Sequence, residues 1–183
     1  MAPKATVYKA ELQISDMDRH YYASHSLTLA QHPSETEQRL MARLLAFALF
    51  AEDRLEFGRG ISEQGEPDLW LRDYTGEIER WIDLGQPDAS DIRKACGRAR
   101  KVVVITYSGN SAEIWWQKIG EDLAKLKNLA VIDFAPAELD AATRLLTRNM
   151  NLTAMIQDGE LQLLADGDSV SLKPRARMGT LAS

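Results

Sequence analysis

Two aspartates carry the first chemical hint in this chain: Asp68, which follows Pro67, and Asp83, in the run WIDLG. They stand in two short alternating segments, PDLWLR and GEIERWIDLG, separated by turn residues, which read as adjacent strands. Along the second segment the period of two sets Glu79, Trp81, Asp83 and Gly85 on one face, and Ile78, Arg80, Ile82 and Leu84 on the other. If the segments pair, Asp68 and Asp83 meet at one end. Two carboxylates converging on an opening are what Mg2+ needs from a protein, with water and a phosphate oxygen completing the octahedron, and that supports phosphodiester hydrolysis. A solvated hairpin with ordinary surface acids has the same spacing.

Directly after Asp83, the segment DIRKACGRARK gathers Arg93, Lys94, Arg98, Arg100 and Lys101. Such residues commonly cover a solvated helix face. Several cations near one strand end also form a local patch that attracts phosphate, with Arg93 and Arg98 as nucleic-acid contacts. Cys96 falls on the apolar side of this helix and reads as core, and His20, His25 and His32 lack metal-ligand spacing. Trp115 and Trp116 could stack on bases of a single strand, but they suit core anchors better.

The elements that must position these residues follow from periodicity. Residues 6–14 alternate with Tyr8, Ala10, Leu12 and Ile14 on one face, and HYYASHSLTLAQH alternates after a turn, which predicts an N-terminal hairpin. The period then changes. Leu40, Leu44, Phe47 and Ala48 predict a helix over about 34–52, opened by Ser34 and Glu37 as a capping box. Three short strands follow, then a helix with Asp88 as N-cap, then KVVVITY, a β-branched run that marks a strand buried on both sides. Helices over about 111–127 and 136–148 flank a strand LAVIDF, and LTAMIQDGELQLL reads as a hairpin turned by Asp158-Gly159. The tail from residue 176 is expected to be loosely ordered.

The chain of 183 residues is long enough for one sizeable core, and 45% hydrophobic with 27% charged residues is ordinary for a globular protein. One mixed α/β domain over 1–183 is expected. The net charge of −5 argues against a coat protein for nucleic acid or a polybasic membrane binder. A single cysteine excludes an intramolecular disulfide, and neither a signal peptide nor an apolar span is visible, so a cytoplasmic protein is expected.

Helix, three strands with Pro-Asp on the second and an acid on the third, helix, buried strand: this αβββαβ order resembles the core of the PD-(D/E)XK nucleases, the restriction-endonuclease-like fold. The longer signatures, KATVYKAELQISDMDRHYYASHSLTLAQHPSETEQRLMARLLAFAL, PDLW, WIDLGQP, RKACGRAR and IWW, resemble the bacterial YaeQ family across essentially the whole chain. That family is regarded as a variant branch of the nuclease superfamily with an extra N-terminal β element, here residues 5–30. The core would then be 34–135, with a C-terminal helix and hairpin over 136–175.

The resemblance implies Asp68 and Asp83 as ligands of Mg2+ or Mn2+, with no organic cofactor. The motif lysine is absent, since the triplet reads Asp83-Leu84-Gly85, and Lys94 would stand in for it to stabilise charge on the phosphate. Gln86 would add a polar contact. Glu37 is a third carboxylate candidate, although its spacing from Ser34 suits the capping box. The resemblance thus implies a metal-dependent nuclease acting on nucleic acid. A non-catalytic module that binds nucleic acid or a protein, including a transcription-associated factor, fits the same core.

Overall fold

The computed structural model describes residues 4–59 and 65–181. β1 (Thr6–Asp16) and β2 (Tyr21–Gln31) form the expected hairpin, in register from Thr6↔Gln31 to Asp16↔Tyr21. The alternation in β1 buries Tyr8, Ala10, Leu12, Ile14 and Asp16 and exposes the residues between most of them. β1 also pairs in parallel with β8 (Asn149–Gln157), Lys9 opposite Asn149 and Asp16 opposite Ile156. With β9 (Glu160–Ala165) and β10 (Asp168–Leu172) these make a five-stranded sheet of order β10-β9-β8-β1-β2.

The second sheet has six strands, in order β11-β7-β6-β5-β4-β3. β4 (Leu69–Arg72) runs antiparallel to both its neighbours, β3 (Leu55–Phe57) and β5 (Ile78–Leu84). β5, β6 (Ala99–Thr106) and β7 (Leu129–Asp133) run parallel, and the β-branched β6 lies inside the sheet, as its composition predicts. β11 (Arg175–Met178) closes the far edge antiparallel to β7.

Between the sheets lies α1 (Glu37–Phe50), in which every residue from Leu40 to Phe50 is buried. It shares one core with Leu12 and Leu29 of the first sheet, Ile82 and Ile105 of the second, and Leu139 of α4 (Pro136–Thr143). A second core covers the opposite face of the six-stranded sheet. There Trp81, Val102, Val104 and Val131 meet Ile92 and Ala95 of α2 (Ala89–Arg98) and Leu123 of α3 (Asn110–Leu123).

Three expectations need correction. The cap of α1 is Thr36, whose side chain accepts from the Arg39 N–H at 3.1 Å; Ser34 instead pairs with His32 Nδ1, so no Ser34–Glu37 box forms. α4 ends at Thr143 rather than near 148. Nor is the tail loose from residue 176, because Arg175–Met178 is strand, and Arg177 is anchored by Glu113 at 2.7 Å and Asp133 at 3.0 Å. The Asp158-Gly159 turn has φ of 53° and 76°, the two left-handed residues of a type I′ hairpin, and Asp166-Gly167 repeats it at 40° and 90°. Among the described residues no helix is long and apolar enough to cross a membrane.

Candidate functional site

The site begins where β4 starts and β5 ends. Leu69 pairs with Ile82, and the Asp68 N–H donates to the Ile82 carbonyl at 3.0 Å, so Asp68 stands across from Asp83 at the open end of the hairpin. On β5 the side chains of Ile82 and Leu84 enter the core beneath α1, while Trp81 enters the core beneath α2. The period of two sends Asp83 the same way as Trp81, whose Nε1 donates to Asp83 Oδ2 at 2.8 Å. Burial above all, with the neighbouring Asp68 charge, raises the Asp83 carboxyl to about 6 against the pull of the indole bond.

Asp68 is held on both oxygens. Its Oδ2 accepts the Leu84 N–H at 2.7 Å, and its Oδ1 accepts from Arg39 at 2.5 Å. Arg39 in turn donates to Glu35 Oε2 at 2.7 Å, and Glu35 is fixed by Arg43 through bonds of 2.8 and 3.0 Å. Glu35 and Arg43 are buried polar residues. Tyr107, just beyond β6, sits beside this chain: burial raises its phenol, with Arg39 pulling the other way.

Asp83 opens onto a cleft of about 1080 Å³ between the sheet and α2. α2 turns Ile92 and Ala95 into the sheet and leaves Lys94 and Arg98 exposed along the cleft. The Arg98 guanidinium lies 5.0 Å from the centre of the Trp81 ring and donates to the Gly65 carbonyl at 3.0 Å. Gln86 also lines the cleft, tied to the first turn of α3 by Ser111 Oγ at 3.0 Å. Glu66 and Asp91 complete its charged lining, so three carboxyl groups face two cations.

Of the residues singled out in the sequence, the fold brings Asp83, Lys94, Gln86 and Arg98 to one cleft and sets Asp68 against Asp83. It leaves Glu37 exposed on the first turn of α1, and Arg93 exposed and outside the cleft lining. The carboxylate buried at this end of α1 is Glu35, one residue before the cap, and sequence reasoning missed it together with Arg39. The available signal was Arg43, a lone cation inside the apolar run Leu40–Phe50, which demands a buried partner. Burial drives the Cys96 thiol up to about 11, as suits a packing residue, and Trp115 packs on the second core with its Nε1 on the Pro87 carbonyl at 2.9 Å.

Gly85 follows the end of β5, where the expected nuclease motif would carry a lysine. Its φ is +105° and a Cβ there would meet nothing within 4 Å, so the restriction at this residue is backbone conformation, not space.

Among the described residues no three His, Cys, Asp or Glu side chains converge as a metal site. Mg2+ keeps several waters and takes only one or two carboxylates, and a carboxylate oxygen that accepts one bond keeps a second lone pair. The Asp68–Asp83 pair matches that count of carboxylates, with Asp68 Oδ1 engaged by Arg39.

A family model described as "YaeQ protein" matches residues 1–174. The "Uncharacterized protein YaeQ" of Escherichia coli (strain K12) is 42% identical over 172 residues, covering 94% of this chain and 95% of that protein. Its Salmonella typhi counterpart is 44% identical over 163 residues, 89% of this chain and 90% of that one. The crystal structure of the YaeQ protein from Xanthomonas axonopodis pv. citri superposes with a TM-score of 0.93 at 60% identity, covering 96% of this chain and 99% of that one. That from Pseudomonas syringae gives 0.92 at 31% identity, covering 97% and 98%.

Proposed function

The chain belongs to the YaeQ family, and from that premise we propose that the Asp83 cleft is a divalent-cation-dependent phosphodiester site of PD-(D/E)XK type, acting on nucleic acid. The observation that carries this reading is the placement of Asp68 at the start of β4 against Asp83 at the end of β5, with Lys94 lining the cleft onto which Asp83 opens. The order α1-β3-β4-β5-α2-β6 supports it as well.

Charge balance argues for the cation. A phosphodiester entering a cleft with three carboxyl groups and two cations meets net repulsion unless a bridging positive charge is present. When bound, Mg2+ or Mn2+ supplies Lewis-acid charge to a phosphoryl oxygen and acidifies its water. Asp68 and Asp83 would hold it. Lys94 extends from an exposed helix face along the cleft, and its ammonium would stabilise the charge that develops on the phosphate. Gln86, fixed by Ser111, lines the same cleft and would add a polar contact. Arg98, stacked on Trp81, offers the remaining guanidinium donors to the phosphate backbone.

A second reading, a nuclease-like scaffold that binds nucleic acid without cutting it, draws on Gly85. The superfamily lysine cannot simply be restored at a residue with φ of +105°.

End-labelled single- and double-stranded DNA and RNA, incubated with Mg2+, Mn2+ or chelator, separate the two readings. The catalytic reading expects metal-dependent cleavage, abolished in Asp83→Asn and reduced about 10²-fold or more in Lys94→Ala. Binding without cleavage under every condition, by a folded protein, would leave the scaffold reading.

A further inference from the structure

The Arg39–Asp68 pair stands in the way of the cation that the cleft calls for. Arg39 Nη2 lies 2.5 Å from Asp68 Oδ1, on a carboxylate whose other oxygen accepts the Leu84 N–H. A guanidinium at that distance neutralises Asp68 and repels a second positive charge from it. Asp83 feels the Arg39 charge as well.

The pairing is built into the fold. Arg39 Nη1 is held by Glu35 Oε2 at 2.7 Å, and Glu35 is locked by Arg43, which also donates to the Ala30 carbonyl at 2.8 Å. The side chains of Glu35 and Arg43 are 2% and 5% exposed, so the clamp is fixed in the core. Arg39 itself, 15% exposed, is the link between this clamp and the open site. One end of the guanidinium is therefore anchored by Glu35 whether or not the other end stays on Asp68.

We infer that Arg39 is a built-in counter-cation that occupies the divalent-ion position on Asp68 and exchanges with the ion. This rests on the metal reading of Asp68 and Asp83. In the resting site Arg39 balances Asp68; for Asp68 to hold an ion, Arg39 would withdraw onto Glu35, which already holds it. Arg39 thus sets a low affinity for free cations, so a metal is retained only when it arrives with, or is held by, an anionic phosphate.

Free Mn2+, measured by electron paramagnetic resonance during titration of the full chain, tests this without any assay of cleavage. Arg39→Met is expected to bind Mn2+ at least tenfold more tightly than the wild type, and Arg39→Met/Asp83→Asn is expected to lose that gain. Arg39→Gln, neutral but still able to donate to Glu35 and Asp68, guards against a folding defect and is expected to show the same direction. Thermal melts confirm that each variant unfolds cooperatively.

Wild-type binding that neither variant strengthens would overturn the role of Arg39 while leaving the metal site standing. No Mn2+ binding by the wild type or by either folded variant would overturn both. A gain that survives Asp83→Asn would also overturn the inference, because the ion would then sit elsewhere.

Discussion

Trp81 Nε1 and Asp83 Oδ2 lie 2.8 Å apart on one face of β5, so the indole supplies a proton donor to the carboxyl that opens on the cleft. Trp81→Phe keeps an aromatic ring in the second core and removes that donor. The Asp83 carboxyl, already up to about 6, is expected to move higher still, because the lost bond favoured its charged form. Carbon-detected NMR titration of Asp83 reads this directly; a downward shift would mean that another donor sets the carboxyl.

Asp83 also couples stability to pH. Its folded pKa of about 6 stands above the ordinary 3.8, so between those values the native state binds more protons and stability falls as pH rises. Asp83→Asn is therefore expected to exceed the wild type by about 1–2 kcal/mol at pH 7.5, a figure reduced from the full shift because the carboxyl faces solvent in the cleft. Below pH 4 the difference should vanish. Urea denaturation at pH 4, 5 and 7.5 checks the trend, and a gap independent of pH would assign the gain to something other than ionisation.

Gly85 separates backbone strain from packing. Gly85→Ala and Gly85→Lys should each cost about 1–2 kcal/mol, and should agree with each other, because the left-handed φ carries the cost and no atom lies within 4 Å of the new Cβ. Thermal unfolding of the two variants makes the comparison. A much larger loss for lysine would reveal crowding.

The Glu35–Arg43 pair is expected to be expensive to break and cheap to replace. Arg43→Met leaves a buried carboxylate facing Arg39 alone and should cost about 3–5 kcal/mol. Changing both residues to apolar ones should recover much of that. Chemical denaturation of the single and double variants gives the coupling.

Arg177 fastens the last strand. Its side chain is 4% exposed and meets Glu113 at 2.7 Å and Asp133 at 3.0 Å, while Thr106 donates to Asp133 at 2.6 Å. Arg177→Met should destabilise the protein by about 3 kcal/mol or more, since Asp133 is left buried with a single hydroxyl and the exposed Arg175. Faster amide exchange in β7 and β11 is the expected companion.

How much of this could be read from the sequence depends on the range of the interaction. The meeting of Asp68 with Asp83 follows from period two and a short connection, both local. The cleft assembles Lys94 and Gln86 because α2 starts within a few residues of β5, again local. Glu35 and Arg39 escaped because their partners are set by tertiary packing: Asp68 is 29 positions from Arg39, and no periodicity links them. The four apolar positions of α1 read from the sequence describe one face, yet Leu40 to Phe50 is buried all round; a helix apolar on every side already implied two covering layers. β11 escaped because RARM reads as a solvated basic tail, and only Asp133 and Glu113, far away in the chain, make it a strand.

The pairing of β1 with β8 bears on how the chain is made. Lys9 lies opposite Asn149, so during synthesis β1 waits for a strand about 140 positions later before its second edge is covered. Until then the inner face of the N-terminal hairpin, with Leu12, Ile14 and Leu29, has no sheet to complete and only α1 to rest on. Synthesis at about 5–20 residues per second stretches that interval to about 7–28 seconds, during which an uncovered strand edge invites pairing with neighbouring chains. Truncated products that stop before residue 149 are thus the species from which aggregation should begin, and chaperone occupancy should concentrate on them.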